Sequence, residues 1–393
     1  MKIGVIDADL IGRSKHRFPN LVSMKISAFH KANGDDVSLL TTYDDCYKYD
    51  KLYLSKVFTD TDVPNDIFEL KNLTYGGTGF YYDEAEPLPD EIEHIMPDYH
   101  LYDEWVDQMI EAGGKRRDYI YYTDYSIGFL TRGCFRQCDF CVNKNYNQSK
   151  RHSPVLEFYD PSRPKLCFLD DNFFACGKWK EIIEEVKELD RPFQFKQGLD
   201  ERLLTDDKIH ELVTWKYDGN MIFAFDDIND REVIERNLRR LFELYPQFRK
   251  TLKFYVLCGY DRNGKYDAEF YEKDIQDTLE RAMILAKYSA LPYIMRFEKS
   301  YKSDYAGVYS AIAAWCNQPN IFKTFSFDLF CKCKGMGRGY KEYKRDWERY
   351  IQDGGYKYST WRYLDLLKVF LPNEKQWMIN TLPKDIATVG IDI

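Results

Sequence analysis

The chain lacks several things, and each absence removes a class of protein. No run of 18 apolar residues occurs in its 393 residues, and the N-terminal MKIGVIDADLIG meets acids at Asp7 and Asp9 before any long apolar stretch. Membrane spanning and secretion both lose support, so a cytoplasmic protein with no membrane partner is expected. No low-complexity tract and no internal repeat is visible, and 44% hydrophobic with 31% charged residues is the balance of a folded globular chain. Positive charge is not in excess: the formal net charge of -8 gives no general attraction to nucleic acid. Only six histidines are present, scattered, with no pair at metal-ligand spacing. Ten cysteines without a secretion signal point away from a disulfide framework and toward thiol, metal or redox chemistry.

What is present is organised. From about residue 120, short β-rich runs alternate with helical periodicity. Strands are expected at Ser126 to Leu130, Leu166 to Leu169, Phe193 to Lys196, Met221 to Phe225, Leu252 to Leu257 and Tyr293 to Phe297. Between them, Trp179, Ile182, Ile183, Val186 and Leu189 share one helical face, as do Ile275, Leu279, Ala282, Met283 and Ala286. Thr205 suits the N-cap of a further helix. Six alternations with largely apolar strands predict an α/β fold with a parallel sheet, a (β/α)6 partial TIM barrel over residues 120–318. Chemistry in such barrels gathers at the C-terminal ends of the strands. Asp170, Asp171 and Asn172 stand after the second strand, Gln197, Asp200 and Arg202 after the third, and Asp226 and Asp227 after the fourth.

Residues 1–80 carry a smaller α/β pattern: a strand at Lys2 to Ile6, a helix at Leu21 to Ala32 stopped near Gly34, then strands at Val37 to Leu40 and Leu52 to Phe58. This predicts a Rossmann-like N-terminal domain. Residues 81–119, with Pro87, Pro89, Pro97 and Gly113-Gly114, read mostly as a connection. Residues 319–393 form a small aromatic and basic region with a helix near Trp361 to Phe370.

The stretch TRGCFRQCDFCVN, Thr131 to Asn143, places Cys134, Cys138 and Cys141 at C-x3-C-x2-C with Phe140 before the last. Three thiolates after the first strand of the series can hold three irons of a 4Fe-4S cluster and leave the fourth open to an amino-carboxylate chelate. A zinc site or three unrelated buried cysteines are the alternatives, but structural zinc wants four ligands and no obvious fourth partner sits nearby. On these residues the chain resembles the radical S-adenosylmethionine (radical SAM) superfamily. The resemblance implies an enzyme in which a reduced 4Fe-4S cluster cleaves S-adenosylmethionine to a 5′-deoxyadenosyl radical, with an electron donor such as flavodoxin or ferredoxin. Where that superfamily has a Gly-Gly-Glu-like segment, this chain has LCFLDDNFF, similar to the Asp-Asp-Asn variant of members with a cobalamin-type domain. By position Asp170, Asp171 and Asn172 take the amino-group role, with helix capping as the structural alternative. Gln197 and Arg202 are weaker candidates for the ribose or methionine carboxylate, a structural salt bridge being the alternative for the arginine. Asp226, Asp227 and Asp261 are expected to serve strand-end structure.

The N-terminal segment also resembles the cobalamin-binding frame D-x-H-x-x-G, S-x-L, G-G. Here it reads Asp7-Ala8-Asp9-Leu10-Ile11-Gly12, Ser55-Lys56-Val57 and Gly76-Gly77, with Asp9 where the axial histidine would stand. Only 18 residues separate the serine and glycine motifs, fewer than the family usually has. A vestigial domain kept for packing or recognition is favoured over one that holds cobalamin. Cys316, Cys331 and Cys333 match no auxiliary-cluster pattern and read as ordinary thiols, and Cys167 and Cys258 as core. Lys332 to Arg349 holds seven basic residues against three acids, with interleaved Tyr340, Tyr343 and Trp347. That suits phosphate and base contacts, although a solvated mixed-charge helix is the plainer reading. A non-enzymatic iron-sulfur or zinc protein binding nucleic acid through this region is the second functional reading. The substrate stays open between a peptide, a nucleotide and a small metabolite.

Overall fold

A computed structural model of the chain describes residues 1–144, 146–324, 327 and 330. They form a mixed α/β protein with parallel sheets, divided into two compact units: residues 1–197 with 215–218, and residues 198–214 with those from 219 onward. The boundaries expected at 80 and 119 both fall inside the first unit.

The first unit opens with four strands, β1 (Lys2–Asp7), β2 (Asp36–Leu40), β3 (Lys51–Ser55) and β4 (Leu73–Gly76), all parallel in the order β2-β1-β3-β4. β1 is apolar on both faces, as a central parallel strand must be. Ile3 and Val5 pack with Met24 and Ile26 of the helix Leu21–Ala32, while Ile6 faces Leu52, Leu54 and Ile67. That helix starts where Asn20 Oδ1 accepts from Ser23 N at 3.2 Å. The expected connection, residues 81–119, packs into this core. Tyr99, Leu101, Tyr102, Val106 and Tyr119 join Ile3 and Val5, and a helix runs over Asp103–Glu111. Prolines and glycines mark its turns, but its aromatic residues supply apolar area that the sheet alone lacks.

Next come β5 (Tyr125–Gly128), the short antiparallel pair β6 (Thr131–Arg132) and β7 (Lys150–Arg151), and then β8 (Lys165–Phe168) and β9 (Phe193–Phe195). β5, β8 and β9 form a parallel sheet in that order, Ile127 lying beside Cys167 and Cys167 beside Gln194. Phe168, Phe193 and Phe195 build an aromatic layer with Trp215 and Phe174, and Phe174 meets Trp179 of the helix Trp179–Glu188. The predicted stripe holds for Trp179, Ile182, Ile183 and Val186, which are buried, while Leu189 is the half-buried C-cap just past the helix.

The second unit carries β10 (Met221–Ala224), β11 (Leu252–Cys258) and β12 (Leu291–Arg296), again parallel in chain order. β12 begins two residues before the expected Tyr293 because Pro292 pairs opposite Phe254, and a proline is tolerated on an edge strand where no ladder donor is needed. Thr205 caps the helix Asp206–Thr214, its Oγ1 accepting from Lys208 N at 3.5 Å. Arg281, wholly buried on the helix Ala268–Lys287, donates through Nη1 to the carbonyls of Phe225, Asp226 and Leu257 at 2.7–2.9 Å. The guanidinium thereby satisfies strand-end acceptors that burial would otherwise leave orphaned. The expected helix near Trp361 to Phe370 lies outside the described residues.

Candidate functional site

The three cysteines lie on an excursion between β6 and β7 in the first unit. Its neck is closed by the pairing of Thr131 with Arg151 and Arg132 with Lys150, and by His152 N donating to Leu130 O at 2.8 Å. Gly133 turns the chain into the loop with φ +95°, and a Cβ there would stand 2.3 Å from Gln148 O and 2.8 Å from Tyr146 Cβ. Both the backbone angle and the close approach require glycine.

Cys134, Cys138 and Cys141 carry thiols, half-buried in each case. Cys134 Sγ accepts from Arg136 N at 3.4 Å and from Asn172 Nδ2 at 3.3 Å, while Cys141 Sγ accepts from Asn143 N at 3.4 Å. Burial pushes the Cys141 thiol pKa up, and the nearby Cys134 acts in the same direction. Among the described residues no group of three or more His, Cys, Asp or Glu side chains is gathered to hold a metal ion, the cysteine loop included. The donor chemistry nevertheless suits a cluster: N–H groups aimed at sulfur stabilise the thiolate that iron requires and tune its potential.

The turn after β8 is wired into this loop. Asp170 is 1% exposed and accepts from Leu130 N at 3.1 Å, and from Thr131 N and Thr131 Oγ1 at 2.6 Å each. Burial pushes its carboxyl up to about 7 against the pull of those donors. Asp171 accepts from Gly133 N at 2.6 Å and Asn143 Nδ2 at 2.7 Å, and Asn172 reaches Cys134 as above. The helix-capping alternative finds no support here, since no side-chain cap bond forms at Asn172. The structure thus brings Asp170, Asp171 and Asn172 onto the cysteine loop and its neck, with Asn172 on Cys134 itself, while the three cysteine side chains are not gathered as a metal-holding group. Phe140 is half-buried, and its carbonyl accepts from Tyr82 Oη at 2.5 Å.

The other candidates stand differently. Gln197 is exposed at the end of the first unit. Arg202 belongs to the second unit, where Nε donates to Asp200 Oδ1 at 2.8 Å and Nη1 to Asp230 Oδ2 at 2.7 Å. Asp226, Asp227 and Asp261 accept from the backbone N–H groups of Leu257, Asn229 and Lys265, which is strand-end structure. Beside Arg202, Glu201 is fully buried, and burial holds its carboxyl well above the usual range. Sequence reasoning passed over Lys196, one residue beyond β9. Its half-buried Nζ donates to Tyr121 Oη at 2.8 Å and stands 4.0 Å from that ring's centroid. The one available signal was a lysine at a strand's C-terminal end, directly before Gln197.

At the head of the first unit, Asp7 caps the short helix Ala8–Gly12 through Oδ1 and accepts from Tyr102 Oη through Oδ2 at 2.8 Å. Asp9 is 1% exposed, with Oδ2 accepting from Val57 N at 2.7 Å and Oδ1 from Thr61 Oγ1 at 2.5 Å. Gly77, at φ +110°, lies so close to Lys56 that a Cβ would stand 2.3 Å from the Lys56 carbonyl oxygen. The three pieces of the cobalamin-like frame therefore pack on one another. Cys167, Cys258 and Cys316 are buried, whereas Cys331, Cys333 and the basic segment Lys332 to Arg349 lie outside the described residues.

The fold and this site define an α/β protein with parallel sheets and a three-cysteine loop clamped by an acidic turn. No family model, curated protein or solved structure matches the chain. No described helix is long and apolar enough to cross a membrane.

Proposed function

We propose that the chain is a radical S-adenosylmethionine enzyme. Support comes first from one observation: a C-x3-C-x2-C loop just beyond the first strand of a parallel βα series, with the sulfurs of Cys134 and Cys141 met by N–H donors. In this reading β5, β8, β9, β10, β11 and β12 are, in chain order, the strand series of a (β/α)6 partial barrel, and the four-stranded N-terminal sheet is Rossmann-like. Cys134, Cys138 and Cys141 hold a 4Fe-4S cluster. Once bound with S-adenosylmethionine, that cluster supplies one-electron cleavage to a 5′-deoxyadenosyl radical, the electron coming from a flavodoxin- or ferredoxin-like donor.

The chain's own share is to hold the loop and shape the space beside it. Gly133 admits the turn, the β6–β7 neck closes it, and Tyr82 fixes the backbone at Phe140. Lys196 with Tyr121 offers a cation and a hydroxyl on the sheet face that also carries Cys167. The N-terminal frame does not fit a corrinoid. Asp9 offers a hard anionic oxygen already engaged by Val57 and Thr61 of the segment after β3, and the Lys56 backbone stands directly against Gly77.

The test is anaerobic reconstitution with iron and sulfide, then addition of dithionite and S-adenosylmethionine. The expected result is a brown protein with about four irons that slowly releases 5′-deoxyadenosine. Replacing Cys134, Cys138 and Cys141 with alanine should abolish both. Zinc in the purified protein and no chromophore after reconstitution would sink the proposal.

A further inference from the structure

We propose that Asp171 and Asn172 act on the cysteine loop itself: Asp171 fixes the loop in its cluster-accepting shape, and the Asn172 amide sets the reduction potential of the cluster that Cys134 ligates. The inference rests on the radical reading above and deepens it, giving the turn after β8 a task other than contact with the amino group of S-adenosylmethionine.

The geometry of Asp171 carries the first half. Its Oδ2 takes the N–H of Gly133, one residue before the first cysteine, and its Oδ1 takes the side-chain amide of Asn143, two residues after the last. One carboxylate therefore spans the whole C-x3-C-x2-C run from both flanks. Arg132 Nε at 3.9 Å from Oδ2 adds attraction, and the Asp171 side chain is only 9% exposed, so water competes weakly for these donors. A loop left to itself samples many shapes, and each fixed flank removes part of the entropy that cluster binding must otherwise overcome.

Asn172 carries the second half. It is 3% exposed, and its Nδ2 stands 3.3 Å from Cys134 Sγ, which also takes the backbone N–H of Arg136. Dipoles with their positive ends on sulfur stabilise the more negative, reduced cluster more than the oxidised one, so they raise the potential. Removing the amide lowers it, and a carboxylate in the same place lowers it further.

The experiment uses the full chain, anaerobically reconstituted, as parent and as Asn172→Ala, Asn172→Asp, Asp171→Ala, Asp171→Asn, Asn143→Ala and the Asp171→Ala/Asn143→Ala pair. Iron and sulfide per chain are measured, with the midpoint from an EPR-monitored redox titration and circular dichroism melts of the apo proteins. Asn172→Ala should load as the parent does with a more negative midpoint, and Asn172→Asp should be more negative again. Asp171→Ala should load less than half the parent's iron, Asp171→Asn should recover most of it, and the double variant should be no worse than Asp171→Ala, because the two residues share one bond. The melts separate a loop defect from a folding defect, and Asn143→Ala breaks that bond without touching the buried turn. Unchanged midpoints in both Asn172 variants, or full loading of Asp171→Ala, would overturn the inference. A parent that takes up no cluster overturns the radical reading and this inference together, whereas a loaded parent with indifferent variants overturns this inference alone.

Discussion

Asp9→His installs the residue that a corrinoid-binding frame would carry, and the structure predicts that it damages the domain instead of equipping it. Asp9 is 1% exposed and its two oxygens hold Val57 N and Thr61 Oγ1 at 2.7 and 2.5 Å. Hydrogen bonds to a charged group contribute about 1.5–3 kcal/mol each, so losing two removes roughly 3–6 kcal/mol. Val57 is 49% exposed, so water recovers part of its donor and the lower end applies. Forcing a larger ring into a filled site costs a further ~1–3 kcal/mol. The expected loss is therefore at least about 3 kcal/mol, a large share of an ordinary domain's stability. Denaturant unfolding followed by hydrogen exchange across residues 1–60 reads that loss locally. Purification from cobalamin-fed cells, with a visible spectrum after desalting, reads the cofactor. A variant as stable as the parent that keeps a stoichiometric corrinoid band would refute the reasoning.

Two further expectations follow from buried charge. Burial pushes Asp7 up to about 7 from its ordinary 3.8, so its stabilising effect is full below pH about 4 and is lost as pH rises through 7. That is about three pKa steps, or up to ~4 kcal/mol. Asp7→Asn should flatten this slope and melt higher than the parent at pH 8; a variant with the parent's pH dependence would disprove it. Arg202→Met should remove the ion pairs that Arg202 makes with Asp200 and Asp230 and destabilise the second unit by about 2–4 kcal/mol, less than a fully buried pair because the arginine is 22% exposed. It should leave S-adenosylmethionine affinity within a factor of about two. A tenfold weaker dissociation constant by equilibrium dialysis, with stability intact, would instead make Arg202 a cofactor ligand.

The strands of the βα series were legible because parallel strands buried on both faces are continuous apolar runs, and runs such as MIFAF and KLCFL declare themselves without tertiary information. β4 was not, since LTYG is short and half-exposed on the edge of its sheet. Residues 81–119 were misread in emphasis for a related reason. Pro and Gly report local turns, while the burial of Tyr99, Tyr102 and Tyr119 depends on a sheet nearly 100 residues earlier. At the site, spacing identified the cysteines as one loop and order placed the Asp-Asp-Asn turn beside it. Which atoms meet was not readable, because the Asp171 carboxylate chooses its donors only after Gly133 has turned the chain through a positive φ.

Asp7, Asp9, Asp170 and Asp171 all lie at or just past the ends of parallel strands, where a sequence reader expects ligand chemistry, and all four accept hydrogen bonds from the backbone of their own or a neighbouring loop. The reason is general. A loop leaving a buried strand carries N–H groups with no ladder partner, and those donors need an acceptor whether or not a ligand is present. A carboxylate at that position is claimed first by the loop, so position alone overstates the number of ligand-binding acids. Side chains whose partners are not backbone discriminate better. Asn172, with its amide on a cysteine sulfur, and Lys196, with its amine on a tyrosine hydroxyl, have such partners in the first unit, while in the second Asp226 takes the Leu257 N–H and Asp227 takes both the N–H and the side-chain amide of Asn229.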